Sequence, residues 1–285
     1  DLRRVLAPNP SPMTFNGTNT YILGDGDVCV IDPGPASDAH LAAIEAALAP
    51  GERVATILVT HSHLDHSPLS RALADRHGAE VLAAGPSDWG RSALMTRLAI
   101  EGGLGGGEGV DPDFAPDRRL QDGEQIAGDW GDLEVLATPG HMANHLSFAW
   151  RGAVFTGDLV MGWSTSLVSP PDGDMGAFMA SVVRLSQRAD RVYYPGHGDP
   201  VTDPQDRAQD LLAHRRAREA QILGALETSG PGDAATLARA IYTETPDALL
   251  PAAARNVLAH LIDLHERNRV TCAAPLTAQS RFAAV

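Results

Sequence analysis

The sequence predicts a layered α/β domain followed by a small helical module. Short apolar strands alternate with helical patterns over roughly the first two hundred residues, the order that stacks sheets and helices in layers. Four of those strands run into histidine or aspartate just past their ends. From Pro204 the pattern becomes helix, helix, helix, strand, as in a winged-helix module. The boundary falls between a domain over 1–203 and a winged-helix-like domain over 204–285. With 285 residues and 44% hydrophobic content, the chain can bury a core of that size.

Thr20 to Leu23 and Val28 to Ile31 read as a hairpin about the turn Gly24-Asp25-Gly26-Asp27. Asp32 ends the second strand. It is either an ordinary turn residue or a carboxylate holding the far ring nitrogen of a ligand histidine. Leu41, Ile44 and Leu48 give helical spacing over Asp38 to Leu48, closed by Pro50-Gly51. Ala55 to Val59 is a β-branched, buried strand, Ser67 to His77 a helix and Glu80 to Ala83 a strand. Residues 85–117 contain a helical stretch, Leu94 to Ile100, and a glycine-rich run. They form either a flexible surface insertion or a flap over a site. The glycines lack phosphate-loop spacing. Arg119 to Leu136 holds short strands and turns, and Leu146 to Trp150 pairs with Ala153 to Thr156 around Arg151-Gly152. Val192 to Pro195 is a further strand. Gln205 to Glu227, Ala234 to Tyr242 and Pro251 to Asn268 read as helices, and Arg269 to Cys272 as a strand.

The densest chemistry is V-T-H-S-H-L-D-H at Val59 to His66. His61 and His63 are two apart and project to one side of an extended segment, with Asp65 in step and His66 brought round by a turn. Imidazole and carboxylate are ligands for zinc and similar divalent ions. Four donors in one loop invite two neighbouring ions, completed from elsewhere: His141 in A-T-P-G-H, Asp158 in T-G-D and His197 in Y-P-G-H. His61, His63 and His141 would serve one ion, Asp65, His66 and His197 the second, with Asp158 bridging both. A hydroxide between two such cations exists at neutral pH and attacks a carbonyl carbon or phosphorus. Asp65 is a ligand that could also handle protons. His145, four residues after His141, is either an exposed turn histidine or a catalytic group that donates a proton or touches substrate. His40, His77, His214, His260 and His265 have no ligand-type neighbours and read as surface or internally satisfied histidines.

Charge and composition narrow the field. The net charge is −14, from 22 basic and 36 acidic residues, which disfavours a nucleic-acid partner bound mainly by charge. Every basic residue is arginine, so neither a Schiff base nor a lysine anchor for a substrate carboxylate is available. Residues 204–285 carry nine arginines and nine acidic residues, 9 − 9 = 0, a balance that fits packing beside a site or a homodimer face better than DNA binding. Cys29 and Cys272 form no disulfide framework and read as reduced, buried thiols of a cytoplasmic protein. No apolar run reaches membrane-spanning length, and no signal-peptide core follows Asp1-Leu2-Arg3-Arg4, so no membrane partner is expected.

With T-H-S-H-L-D-H, T-P-G-H, T-G-D and Y-P-G-H-G in that order, the chain resembles the metallo-β-lactamase superfamily. The resemblance implies an αβ/βα four-layer sandwich: two facing sheets, helices outside, two metal ions at one edge. Y-P-G-H-G-D-P, His214-Arg215, Arg218-Glu219, Ile241-Tyr242 and Asn256 to Leu264 look like the lactamase-beta-like branch with a C-terminal winged helix. That branch includes a single-strand endoribonuclease and fungal polyketide thioesterases. Glyoxalase II enzymes differ in their C-terminal domain and use lysine, and true zinc β-lactamases are secreted.

The expectation is a dinuclear zinc hydrolase acting on a small-molecule thioester or ester; manganese or iron would fit the same ligands. The alternatives are single-strand RNA cleavage, β-lactam hydrolysis as a minor activity, and a non-enzymatic DNA-binding regulator.

Overall fold

A computed structural model describes residues 1–285. The strands and helices follow in the order β1 (Leu2–Leu6), β2 (Asn19–Leu23), β3 (Asp27–Ile31), α1 (Asp38–Ala46), β4 (Arg53–Leu58), α2 (Leu69–His77), β5 (Glu80–Ala83), α3 (Ala93–Glu101) and β6 (Arg118–Arg119). Then come β7 (Gln125–Gly128), β8 (Gly131–Ala137), β9 (Leu146–Trp150), β10 (Ala153–Gly157), α4 (Met175–Ser186), β11 (Val192–Pro195), α5 (Pro204–Ser229), α6 (Ala234–Ile241), α7 (Leu250–Glu266), β12 (Val270–Cys272) and β13 (Phe282–Ala284).

One sheet has the order β1-β2-β3-β4-β5-β6 and the other β11-β10-β9-β8-β7. Strand alternation sorts their side chains. Cys29, Ile31, Leu58 and Leu82 of the first sheet face Leu133, Val135, Phe148 and Phe155 of the second across a dry core. Val28, Val30, Ile57 and Val81 point outward, under Leu41 and Ile44 of α1 and Leu73 of α2. On the other side, Val154 and Tyr193 pack under Phe178 and Val182 of α4 and Leu211 of α5. The result is the helix–sheet–sheet–helix stack implied by the resemblance. Strands β2, β9 and β10 are buried at every position and β3 and β5 at all but one, so these read as continuous apolar runs.

The C-terminal core joins Ile222 and Leu226 of α5, Leu237 of α6, Leu258, Leu261 and Ile262 of α7, and Phe282. Helix α5 serves both units, because its first half packs under the second sheet. No helix is long and apolar enough to cross a membrane.

Several expectations need correction. Strand β1, helix α4 and strand β13 have no counterpart in the sequence reading. β1 and β13 are edge strands that alternate only weakly, and α4 is rich in small residues. The 85–117 segment is not a free surface insertion. Met95, Leu98 and Leu104 are buried in the C-terminal core, Leu64 N–H donates to Gly109 O at 2.7 Å, and Asp111 N–H donates to Ser62 O at 2.8 Å. His260 is buried with neither ring nitrogen hydrogen-bonded, so it is neither a surface nor a satisfied histidine. His40 is buried and holds Thr20 Oγ1 at 2.8 Å. Cys29 is buried, but Cys272 is only half-buried.

Phe148 is fully buried between the sheets. Phe148→Ala should cost about 3–5 kcal/mol through the cavity it leaves. The check is denaturant unfolding, with a lower midpoint and an unchanged slope.

Candidate metal centre

Every candidate ligand lies just beyond a strand. β4 runs into the loop with His61, His63, Asp65 and His66, β8 into His141, β10 into Asp158 and β11 into His197. The two sheets face each other, so these ends meet at one rim. The backbone there is tight. A Cβ on Gly196 would sit 2.4 Å from Asp158 Oδ1 and 2.7 Å from His66 Cε1, so only glycine lets β11 pass this close.

Seven side chains converge in overlapping groups: His61, His63 and His141; His61, His66 and Asp158; Asp65, His66 and His197. In the first group His63 Nδ1 lies 3.0 Å from both His61 Nε2 and His141 Nε2. In the last, His197 Nε2 is 3.2 Å from Asp65 Oδ2 and 3.3 Å from His66 Nε2. Asp158 stands between them, with Oδ2 3.7 Å from His141 Nε2 and 3.3 Å from His197 Nε2, and Oδ1 3.5 Å from His66 Nε2.

The outer ring nitrogens fix which atom faces inward. His66 Nδ1–H donates to Asp32 Oδ2 at 2.9 Å, His141 Nδ1–H to Leu167 O at 2.6 Å and His197 Nδ1–H to Gly17 O at 3.1 Å. His61 Nδ1–H donates to Thr60 Oγ1 at 2.9 Å, and that hydroxyl donates to Asp32 Oδ2 at 2.7 Å. Asp32 therefore fills both roles considered for it. It turns the chain at φ +50° and anchors His66, while its Oδ1 accepts Thr60 N–H at 2.7 Å.

These tautomers leave the Nε2 lone pairs of His61 and His141 aimed at His63 Nδ1. A proton on His63 could serve one of them, not both. Asp158 Oδ1 is buried and has no hydrogen-bond partner. Converging lone pairs and an orphaned carboxylate oxygen are what a cation would satisfy, and the donor set suits a divalent metal.

The electrostatics divide the cluster. Burial, followed by the charge on His66, holds His61 well below the ordinary imidazole range. Burial also pulls His63 down to about 3 and lowers His141. Burial works against a charge on His66, yet Asp65, Asp158 and Asp32 together outweigh it and raise it well above that range. Burial opposes a charge on His197 as well, but Asp158 and Asp65 raise it to about 9. Asp158 and Asp65 stay low despite burial, because His197 and His66 favour their ionised forms. One half offers three neutral imidazoles, and the other calls for positive charge beside its carboxylates.

His145 lies behind the ligands. It is buried, Nδ1–H donates to Thr138 Oγ1 at 3.0 Å, and Nε2 accepts Asp158 N–H at 3.2 Å. The proton-donor expectation is corrected: both ring nitrogens are committed, and the residue positions Asp158. Thr60, Leu167 O and Gly17 O escaped the sequence reading. Thr60 carried a signal, being next to His61; a backbone carbonyl carries none.

A four-layer sandwich with a His/Asp rim between its sheets defines a class of protein. The chain belongs to it: residues 13–197 match the Metallo-beta-lactamase superfamily, and residues 234–274 match the Beta-lactamase associated winged helix domain. The Drosophila melanogaster Beta-lactamase-like protein 2 homolog is 30% identical, the match covering 94% of this chain and 88% of that protein. An atrochrysone carboxyl ACP thioesterase from Aspergillus fumigatus is 30% identical over 79% of this chain and 64% of its own length. The crystal structure of a metallo-beta-lactamase family protein from Thermus thermophilus aligns with a TM-score of 0.79 at 28% identity, covering 100% of this chain and 98% of that one. The superfamily is hydrolytic and binds divalent metals, commonly zinc or iron.

Asp32→Ala would strip His66 Nδ1–H and Thr60 N–H of their acceptor. Metal affinity should fall about 10–100-fold, measured by competition with a chromophoric chelator.

Proposed function

We propose that this chain is a hydrolase dependent on two divalent ions, zinc by preference, that cleaves small-molecule thioesters or esters carrying an apolar acyl group. The observation that carries this is the cavity over the cluster, about 470 Å³ in volume. His63, Asp65, His141, Asp158 and His197 reach its floor. Met13, Met161, Trp163 and Leu167 line it from one side, and Tyr242, Leu249, Ala252 and Ala253 of the C-terminal domain from the other. Such walls suit an apolar acyl group held by a few polar contacts. The similarity to an acyl-carrier thioesterase, over part of that protein's length, points the same way.

His61, His63 and His141 would hold one ion, and Asp65, His66 and His197 the other, with Asp158 facing both. Metal ions there supply Lewis-acid polarisation of a carbonyl and lower the pKa of water. The protein's own part is to fix the donors and shape the cavity. Asp65 has 27% of its side chain exposed, against 10% for Asp158, so it has the freer access to the cavity for exchanging a proton.

The other readings draw less support. No arginine lines the cavity, and Glu108, Asp65 and Asp158 make it acidic, which is unfavourable for an RNA backbone. Leu249, just before α7, and Ala252, Ala253 and Asn256 in its first turns face the cavity and are not free to enter a DNA groove. β-Lactam hydrolysis would use the same chemistry, as a side activity.

Zinc-loaded protein should release thiol from long-chain or aromatic acyl thioesters, and Asp158→Ala should lower kcat/KM by at least about 100-fold. RNA cleavage by the same preparation without thioester turnover would overturn this assignment.

A further inference from the structure

Arg215 of α5 is fully buried and has no carboxylate partner. Its guanidinium lies 5.0 Å over the Phe178 ring, and its Nη1 donates to Asn256 Oδ1 of α7 at 3.1 Å. Nη2 donates to the carbonyl of Ser166. Burial lowers its pKa to about 10, which still leaves it charged at neutral pH. A buried, unpaired cation is costly for stability alone, so what it holds in place matters.

It holds a segment of the metal centre. Asn256 Oδ1 also accepts Val168 N–H at 3.0 Å, so Arg215 and Asn256 grip the residues on either side of Leu167. Leu167 O is the acceptor for His141 Nδ1–H. The Ser166 hydroxyl reaches back to the carbonyl of Asp158 and, at 3.1 Å, to Leu159 O. Phe178, under the guanidinium, also abuts His141's neighbour. A Cβ on Gly140 would lie 2.2 Å from Phe178 Cα, so the chain before His141 rests directly on α4.

We propose that Arg215 and Asn256 are positioning residues by which the C-terminal domain sets His141. They clamp Ser166 to Val168 so that the Leu167 carbonyl fixes the His141 ring with Nε2 toward His61 and His63. The domain is then part of the metal centre as well as a wall of the cavity. This rests on reading the cluster as a two-ion site.

Zinc alone, titrated into the full chain against a chromophoric competitor, tests it. The wild type should take up two ions per chain. Asn256→Leu and Arg215→Met should weaken one binding step about 10–100-fold and leave the other within about threefold. Asn256→Asp keeps an acceptor for Val168 N–H and Arg215, and should restore the lost step. If Arg215→Met does not fold, the Asn256 pair decides alone. Two unchanged steps in folded Asn256→Leu, or equal weakening of both with no rescue by Asn256→Asp, would overturn the clamp. No uptake by the wild type would sink the metal reading and the clamp together. Intact two-step uptake without thioester turnover would leave the clamp standing and remove only the substrate assignment.

Discussion

Like lone pairs and like charges are forced together at the rim between the two sheets, and the structure has to neutralise them. His63 Nδ1 lies 3.0 Å from two other imidazole nitrogens, and Asp158 is shared between two histidine groups beneath the surface. Left alone, such an arrangement would splay. Four of the rings, those of His66, His61, His141 and His197, are held from behind by Asp32, Thr60, Leu167 O and Gly17 O, which turns Nε2 inward. A cation at the centre would satisfy the converging lone pairs and the carboxylates together.

The same constraint explains where the rest of the chain packs. The N-terminal loop reaches the rim because Gly17 O anchors His197, and Thr18 Oγ1 comes within 3.4 Å of Asp65 Oδ2. The 85–117 segment is drawn in by Ser62 and Leu64, neighbours of ligands on the first loop. The C-terminal domain closes the cavity with Tyr242, Thr245, Leu249 and the first turns of α7, and grips the segment behind His141. An acidic, arginine-only chain keeps its cations away from the cavity. Arg215 and Arg255 are spent on holding backbone carbonyls, and Arg91 on holding Asp172.

Much of this was legible in the sequence. Ligand histidines at spacing two, with aspartate in step, leave few readings other than a metal, and the strand before them places the cluster at a sheet end. The interleaved strands and helices were readable because the central strands are covered on both faces, which makes them continuous apolar runs. Less legible was α4, whose small residues give weak periodicity although Phe178 and Val182 seal the second sheet. His145 was legible only as a neighbour of His141; the structure places it just before β9, buried behind the candidate ligands, where it accepts from Asp158 N–H.

The sequence by itself determined the layered α/β class and the winged-helix appendage, and it pointed to the candidate donors. Each is written in local spacing: two residues along a strand, three to four along a helix, a short motif after each strand. Only the tertiary structure decided how the seven donors pair off, which ring nitrogen faces inward, and what surrounds the cavity. Those depend on contacts between residues far apart in the chain, such as His66 with His197 or Gly17 with His197. Several also run through backbone carbonyls, which every residue has and no sequence pattern can single out.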